Sequence, residues 1–175
     1  MSWLSFAILA YVTLGMQTGL SAALHVGGAG PNFVLMSVIF ISLNAPRDSA
    51  LLGAFVLGAL QDLTSQGTMG LYSFSYGLVG LMVVSARQTI YRGHPLTHFS
   101  LTLVAGVLTA LVLAIHDWIR PPGSDIRPAV GPLFYSAFYS AVVAVVVLGA
   151  LQRMKGFFRF RSTQRGKMPR IFGSR

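Results

Sequence analysis

The sequence contains no cysteine and no glutamate, and these two absences exclude several kinds of chemistry. Without cysteine the chain has no disulfide bond, no thiolate nucleophile and no cysteine-based metal site. Charged residues make up only 10 % of the 175 residues, whereas soluble domains carry about 25 %. The chain is therefore too poor in charge to cover its surface for water. Its acidic residues are four aspartates, Asp48, Asp62, Asp117 and Asp125.

Apolar residues are abundant instead, at 54 % of the chain with a mean hydropathy of +0.67. They fall into six segments separated by short polar breaks, which predicts an all-α, polytopic membrane protein of one domain. A spanning helix needs about 20 apolar residues, and the second and third segments are shorter. We expect these two to form short helices or a re-entrant pair. The predicted segments are 3–24, 31–43, 49–63, 69–86, 96–115 and 129–151.

The net charge of +9 is concentrated at the C-terminus, because eight of the 13 Lys and Arg residues lie in the last 23. The rest of the chain is nearly neutral, so the charge does not indicate a nucleic-acid-binding face. We divide the chain into a transmembrane domain, 1–152, and a basic tail, 153–175. Basic and aromatic residues alternate in the tail, which suits anionic lipid headgroups or a cytoplasmic partner protein. The predicted contact residues are Arg153, Lys155, Arg159 and Arg161.

The placement of Lys and Arg also predicts the orientation, since cytoplasmic loops of membrane proteins are enriched in both. If the tail is cytoplasmic and there are six spans, the outer side holds only Arg120 and Arg127. The other basic residues, including Arg47, Arg87 and Arg92, then lie on the cytoplasmic side. We therefore expect a multi-pass protein of the plasma membrane with both termini in the cytoplasm.

Small residues recur at four-residue spacing on three of the segments. Gly15 and Gly19 form a GxxxG motif on the first, and the pairs Ala54/Gly58 and Gly106/Ala110 repeat the spacing. Small side chains let helix backbones approach closely where lipid supplies no hydrophobic driving force. Packing within the chain is the favoured interpretation. The alternative is a docking face for a helix of a partner protein.

Asp62 is an acid near the end of the third apolar segment, where a charge is costly to insert. Its candidate partners are the free backbone N–H groups that open the fourth segment, near Thr68 to Gly70. His116 and Arg120, at the end of the fifth segment, are others. We favour a structural role for Asp62 over transport or proton relay.

The remaining polar residues do not form a catalytic or metal site. His94 and His98 are four residues apart, but Pro95 lies between them and marks a helix start, and no Cys or Glu completes a site. His116 and Asp117 are adjacent, but the nearest hydroxyl in sequence lies in a Pro/Gly-rich loop. We expect a protein that is not an enzyme and that carries no metal or cofactor.

The stretch from Gly53 to Gly80 resembles the MreD family of rod-shape-determining proteins. A Gly-rich helix ends in an acid, GAFVLGALQD, and a short Ser/Gly turn leads to Gly-Leu-Tyr at the start of the next helix. The preceding PNFVL is similar to the second segment of that family. The resemblance assigns the interaction residues to this hairpin, with Gly58, Asp62, Gly70 and Tyr72 as candidates beside the GxxxG pair.

The resemblance implies a role in bacterial cell-wall elongation at the inner membrane. Proteins of this kind are scaffolds beside MreC that link cytoplasmic MreB filaments to a RodA-type glycosyltransferase and its penicillin-binding transpeptidase. The family is also similar in shape to the substrate-binding subunits of energy-coupling-factor vitamin transporters. This similarity leaves a second hypothesis, a small-molecule pocket at the outer ends of the segments. Its expected contacts are Asp62 and Trp118, with Gln17 and Gln61 as further polar candidates.

Overall fold

The protein is all-helical in a computed structural model that describes residues 3–20, 23–24, 30–65, 68–87, 95–119 and 130–153. These residues contain no strand and form six α-helices, as the apolar segments predicted. The first helix continues as a π-helical turn, Met16–Leu20. The helices are α1 (Trp3–Gly15), α2 (Phe33–Asn44), α3 (Arg47–Thr64), α4 (Leu71–Ala86), α5 (Pro95–Ile119) and α6 (Val130–Arg153).

Helix length separates the elements into two groups. In the described part of the chain, three stretches are long and apolar enough to cross a membrane, Trp3–Leu20, Leu96–Ile119 and Phe134–Arg153. The second helix has only 12 residues, which gives about 18 Å against a hydrocarbon core of about 30 Å. The short second helix was predicted, but α3 is longer than expected because it begins at Arg47 and has 18 residues. The polytopic all-α architecture is confirmed.

The short α2 lies at the centre of the bundle and contacts each of the other five helices. Every residue from Phe33 to Leu43 is buried. A helix that is apolar on all sides belongs in an interior rather than on a surface, and the run FVLMSVIFISL has this character. The helix therefore does not need to span the bilayer by itself, because protein surrounds it.

The N-terminus of α2 is satisfied by side chains from three other helices. Asn32 caps the helix, since its Oδ1 accepts from the backbone N–H of Leu35 at 2.9 Å. The N–H of Asn32 donates to Oγ of Ser140 on α6 at 2.9 Å. The N–H of Phe33 donates to Oε1 of Gln17 at 2.8 Å, and Nδ2 of Asn32 donates to the Tyr76 hydroxyl on α4 at 2.8 Å.

At the C-terminal end of α2, a positively charged side chain donates to a backbone carbonyl oxygen. Nη1 of Arg87, just after α4, donates to the carbonyl oxygen of Ala45 at 2.7 Å. Nδ2 of Asn44 donates to the carbonyl of Phe40 at 2.8 Å. A cation at a helix C-terminus also opposes the negative end of the helix dipole. Both ends of α2 are thus hydrogen-bonded to side chains from outside the helix.

We predict that Asn32→Ala destabilises the bundle, because the substitution removes a cap and a hydrogen bond between helices. The expected loss in the free energy of unfolding is about 1–2 kcal/mol. Unfolding in mixed detergent micelles measures it. Asn44→Ala is the matched control, since Asn44 bonds only a carbonyl of its own helix. Equal losses in the two variants would contradict the capping role.

Candidate functional site

The hairpin of α3 and α4 is packed through small residues. A Cβ atom on Gly58 would lie 2.5 Å from Cα of Ser73 and 2.6 Å from the carbonyl oxygen of Tyr72. Further along, a Cβ on Gly80 would lie 2.8 Å from Cβ of Ala54. The two helices therefore approach at backbone distance at both points. The small-residue pair Ala54/Gly58 serves packing within the chain.

Asp62 lies one turn beyond Gly58 on the same face of α3 and is only 5 % exposed. Its Oδ1 accepts from the N–H of Tyr72 at 2.9 Å. Its Oδ2 accepts from the N–H of Ser73 at 2.9 Å and from the Ser73 hydroxyl at 2.6 Å. Both carboxylate oxygens are therefore used in joining the end of α3 to the start of α4.

This arrangement is a helix cap supplied by the neighbouring helix. The first N–H groups of a helix have no partner within it, and the positive end of the helix dipole favours a negative charge there. Gly70 occupies the cap position with φ of 94° and has no side chain to accept these hydrogens. Its left-handed conformation is one that glycine adopts without strain. Asp62 supplies the acceptor that Gly70 lacks.

A second contact ties the turn of the hairpin to α5. Oγ1 of Thr68 and Nε2 of His116 are 3.1 Å apart and share a hydrogen bond. The C-terminus of α3 is closed locally, since the Ser65 hydroxyl donates to the carbonyl of Asp62 at 3.2 Å. The described residues on both sides of the turn thus have hydrogen-bonded partners. His116 was expected as a partner of Asp62, but it bonds the turn instead.

The surface of this hairpin end is apolar. Leu63 and Met69, which flank the turn, are 69 % and 75 % exposed, and Phe74 on the first turn of α4 is 63 % exposed. The polar groups of Asp62 and Ser73 are directed inward while these apolar side chains face out. The described residues that flank the turn therefore present an uncharged and mostly apolar surface.

The structure brings four of the predicted interaction residues together in this hairpin and separates the others. The partners of Asp62 are N–H groups that open α4, as expected, but they belong to Tyr72 and Ser73 rather than to residues 68–70. Arg153 is the last residue of α6, whereas Lys155, Arg159, Arg161 and Arg120 lie outside the described residues. The residues brought together are Gly58, Asp62, Gly70 and Tyr72.

The GxxxG pair on the first helix requires a correction. A Cβ on Gly15 or on Gly19 would meet nothing within 4 Å, so neither glycine packs against another described part of the chain. The reason is geometric, because α1 buries the face of Phe6, Leu9, Ala10 and Thr13 and leaves these glycines on the opposite side. The favoured interpretation of packing within the chain was wrong for this pair.

A small cavity lies between α2, α4, α5 and α6, with a volume of about 70 Å³. Asp62, Trp118, Gln17 and Gln61, the contacts expected for a small-molecule pocket, are not among its lining residues. Its polar lining comes instead from residues that sequence analysis missed. Ser136 and Ser140, four residues apart on an apolar helix, were the available signal. The polar lining residues are Asn32, Tyr72, Thr109, Ser136 and Ser140.

Within the described residues, no group of three or more His, Asp or Glu side chains is placed to hold a metal ion. Helix α5 begins at Pro95, as its sequence position predicted. His94 lies outside the described residues, so its spacing from His98 has no structural counterpart here.

Fold and site together define an all-helical, polytopic membrane protein in which the buried acid caps a neighbouring helix. A family model described as rod shape-determining protein MreD matches residues 1–147. The chain belongs to the MreD family, which has a role in rod cell shape and cell-wall elongation and is part of the MreB, MreC and MreD shape complex. No curated protein and no solved structure matches the chain. The similarity to energy-coupling-factor subunits stays a prediction.

We predict that Gly58→Ala lowers the stability of the bundle, because its Cβ would overlap the backbone of Ser73 and force α3 from α4. The expected loss is about 1–3 kcal/mol. Gly77→Ala on α4 is the matched control, since a Cβ there meets nothing within 4 Å. Thermal unfolding of both variants in detergent makes the comparison. Equal melting temperatures would show that the close approach does not matter.

Proposed function

We propose that this protein is a non-catalytic membrane scaffold of the bacterial cell-wall elongation machinery. On this proposal it binds an MreC-like periplasmic coiled-coil protein and links MreB filaments to a RodA-type glycosyltransferase and its penicillin-binding transpeptidase. Membership of the MreD family supports the general role in rod shape and the kind of partners. The scaffold activity and the individual contacts are inferred from the site.

This proposal rests on one observation, the hydrogen bonding of the Asp62 carboxylate. An intramembrane acid is by default a functional group for transport or proton transfer. Here the carboxylate is buried and accepts three hydrogen bonds from the start of α4. These bonds use both oxygens of the carboxylate in joining α3 to α4. Asp62 thus shapes the hairpin, and the hairpin supplies the binding surface.

The exposed hairpin end fits a partner whose contact is also apolar. Leu63, Met69 and Phe74 project from an end whose described residues are joined by the hydrogen bonds of Asp62 and by the bond between Thr68 and His116. A rigid surface loses little conformational entropy when it binds, which favours a stable complex. We assign this end of the hairpin to the MreC-like partner.

The orientation completes the proposal. With both termini in the cytoplasm, the hairpin end faces the periplasm, where an MreC-like coiled coil is located. The basic tail then faces the cytoplasm, beside anionic lipids and MreB filaments. The positive charges of the tail attract the anionic lipids and can also bind MreB filaments.

The vitamin-transport alternative receives little support from the cavity. Sites for drug-sized ligands have volumes of about 300–1,000 Å³. The cavity between α2 and its neighbours measures about 70 Å³, so a vitamin does not fit. The residues expected to bind the vitamin do not line it.

We predict that Asp62→Ala and Asp62→Lys reduce co-purification of the MreC-like partner from membranes several-fold. Removal of the carboxylate leaves the N–H groups of Tyr72 and Ser73 without their acceptor, and a lysine adds a like charge at the positive helix end. Asp48→Ala is the matched control, because Asp48 is an exposed residue at the other end of α3. Unchanged yields of the complex with both Asp62 variants would count against the proposal.

A second prediction concerns the tail. Removal of residues 159–175 takes away six of the eight basic residues of the tail but none of the six described helices. We therefore expect normal membrane insertion and weaker recruitment of the cytoplasmic partner. Fractionation measures the insertion, and localisation of labelled MreB measures the recruitment. A truncated protein that recruits MreB as well as the full chain would refute a role for the tail.

A further inference from the structure

The cavity between α2, α4, α5 and α6 lies in the half of the bundle that contains the cap of α4. Asn32 and Leu35 of α2 and Tyr72 of α4 line it from one side. Thr109 and Leu113 of α5 line it from another. The cavity is partly open, so a molecule from outside the bundle has access to it. None of this depends on the scaffold function.

Small residues create the space. A Cβ on Gly106 would lie 2.8 Å from Cβ of Ala137, so α5 and α6 are in close contact at this point. Gly106, Ala110 and Ala137 all line the cavity and contribute little side-chain volume to it. Native interiors contain few voids of this size, because unfilled space forfeits dispersion contacts. A cavity that is polar as well as open is suited to holding a ligand.

The polar groups of the lining have hydrogen-bonding capacity left over. Oγ of Ser140 accepts from the N–H of Asn32, and within the described residues its own hydrogen has no acceptor. The amide of Asn32 donates one hydrogen to the Tyr76 hydroxyl and keeps a second. Hydroxyl groups that donate to a carbonyl retain lone pairs that can accept. The lining thus offers both donors and acceptors.

Two hydroxyls provide the acceptors. Oγ1 of Thr109 donates to the carbonyl of Ala105 at 2.9 Å. Oγ of Ser136 donates to the carbonyl of Gly30 at 2.8 Å. Both bonds fix the direction of the hydroxyl hydrogen and leave the oxygen lone pairs available. Backbone carbonyl oxygens accept both bonds, so the two hydroxyl groups are held in position before a ligand binds.

The chemical class of the ligand follows from the lining. No Asp, Glu, Lys, Arg or His is among the lining residues, so an ion would lose its hydration without gaining a counter-charge. A mixture of hydroxyl and amide groups matches a molecule with several hydroxyls. A cavity needs a volume of about 10–15 Å³ to hold one water molecule. The volume of about 70 Å³ therefore accommodates five or six non-hydrogen atoms.

We propose that this cavity is a binding site for a glycerol-sized polyhydroxy group. The same chemistry has two sources, free glycerol and the glycerol headgroup of a phospholipid in the surrounding leaflet. Asn32 and Ser140 donate to the hydroxyl oxygens of the ligand, and Thr109 and Ser136 accept from its hydroxyl hydrogens. Occupation of the site would fix α6 against the cap of α2.

The test uses the full-length protein in phosphatidylcholine nanodiscs. For the free source, saturation-transfer NMR measures binding of glycerol. For the lipid source, native mass spectrometry compares retention of phosphatidylglycerol with that of phosphatidylserine, which has the same net charge but no diol. We expect binding in at least one arm. Absence of glycerol binding together with equal retention of the two lipids would overturn the proposal.

Two substitutions locate the binding. Thr109→Val removes one hydroxyl at nearly constant volume and is expected to weaken binding roughly 3- to 10-fold. Ala110→Leu fills the cavity and is expected to abolish binding. Ala150→Leu makes the same change at an exposed position on α6 and should bind like the unmodified protein. Binding that survives both cavity substitutions would also overturn the proposal, even if one variant folds poorly.

Discussion

The structure depends on satisfying backbone N–H groups that begin helices inside an apolar bundle. In such surroundings an unpaired backbone group costs several kcal/mol, because no water is there to replace the missing partner. Two helices meet this constraint by borrowing side chains from neighbours. The side chains of Gln17 and Ser140 accept hydrogen bonds at the N-terminus of α2, and that of Asp62 accepts at the N-terminus of α4. The positions of α1, α3 and α6 around the centre follow from these bonds.

The same constraint bears on the exposed end of the hairpin formed by α3 and α4. The carboxylate of Asp62 bonds inward to the start of α4, while the exposed side chains of Leu63, Met69 and Phe74 at this end of the hairpin are apolar. The MreD family, to which the chain belongs, acts in cell shape and cell-wall elongation, and the proposed docking surface lies at this end of the hairpin. The small polar cavity nearby is lined by the small residues Gly106, Ala110 and Ala137, at the point where α5 and α6 are in close contact.

Much of this could be predicted from the sequence, and the remainder could not for physical reasons. The length and recurrence of apolar stretches predicted the six helices, and the cost of a charge in lipid identified Asp62 and the kind of partner it finds. The small-residue spacing had the same appearance at Gly58 and at Gly15, yet only Gly58 packs within the chain. Spacing shows that a close approach is possible, whereas the tertiary arrangement decides whether it occurs. The Asn32 network and the cavity escaped prediction because they join residues more than 40 positions apart.

The central claim is that the Asp62 carboxylate caps α4, and amide hydrogen exchange at Tyr72 and Ser73 tests it most directly. In lipid nanodiscs, the account predicts that both amides are as strongly protected as those in the middle of α4, and that Asp62→Ala makes them exchange much faster while the middle of the helix is unchanged. Rapid exchange of the two amides in the unmodified protein, or the same protection in the variant, would contradict the account.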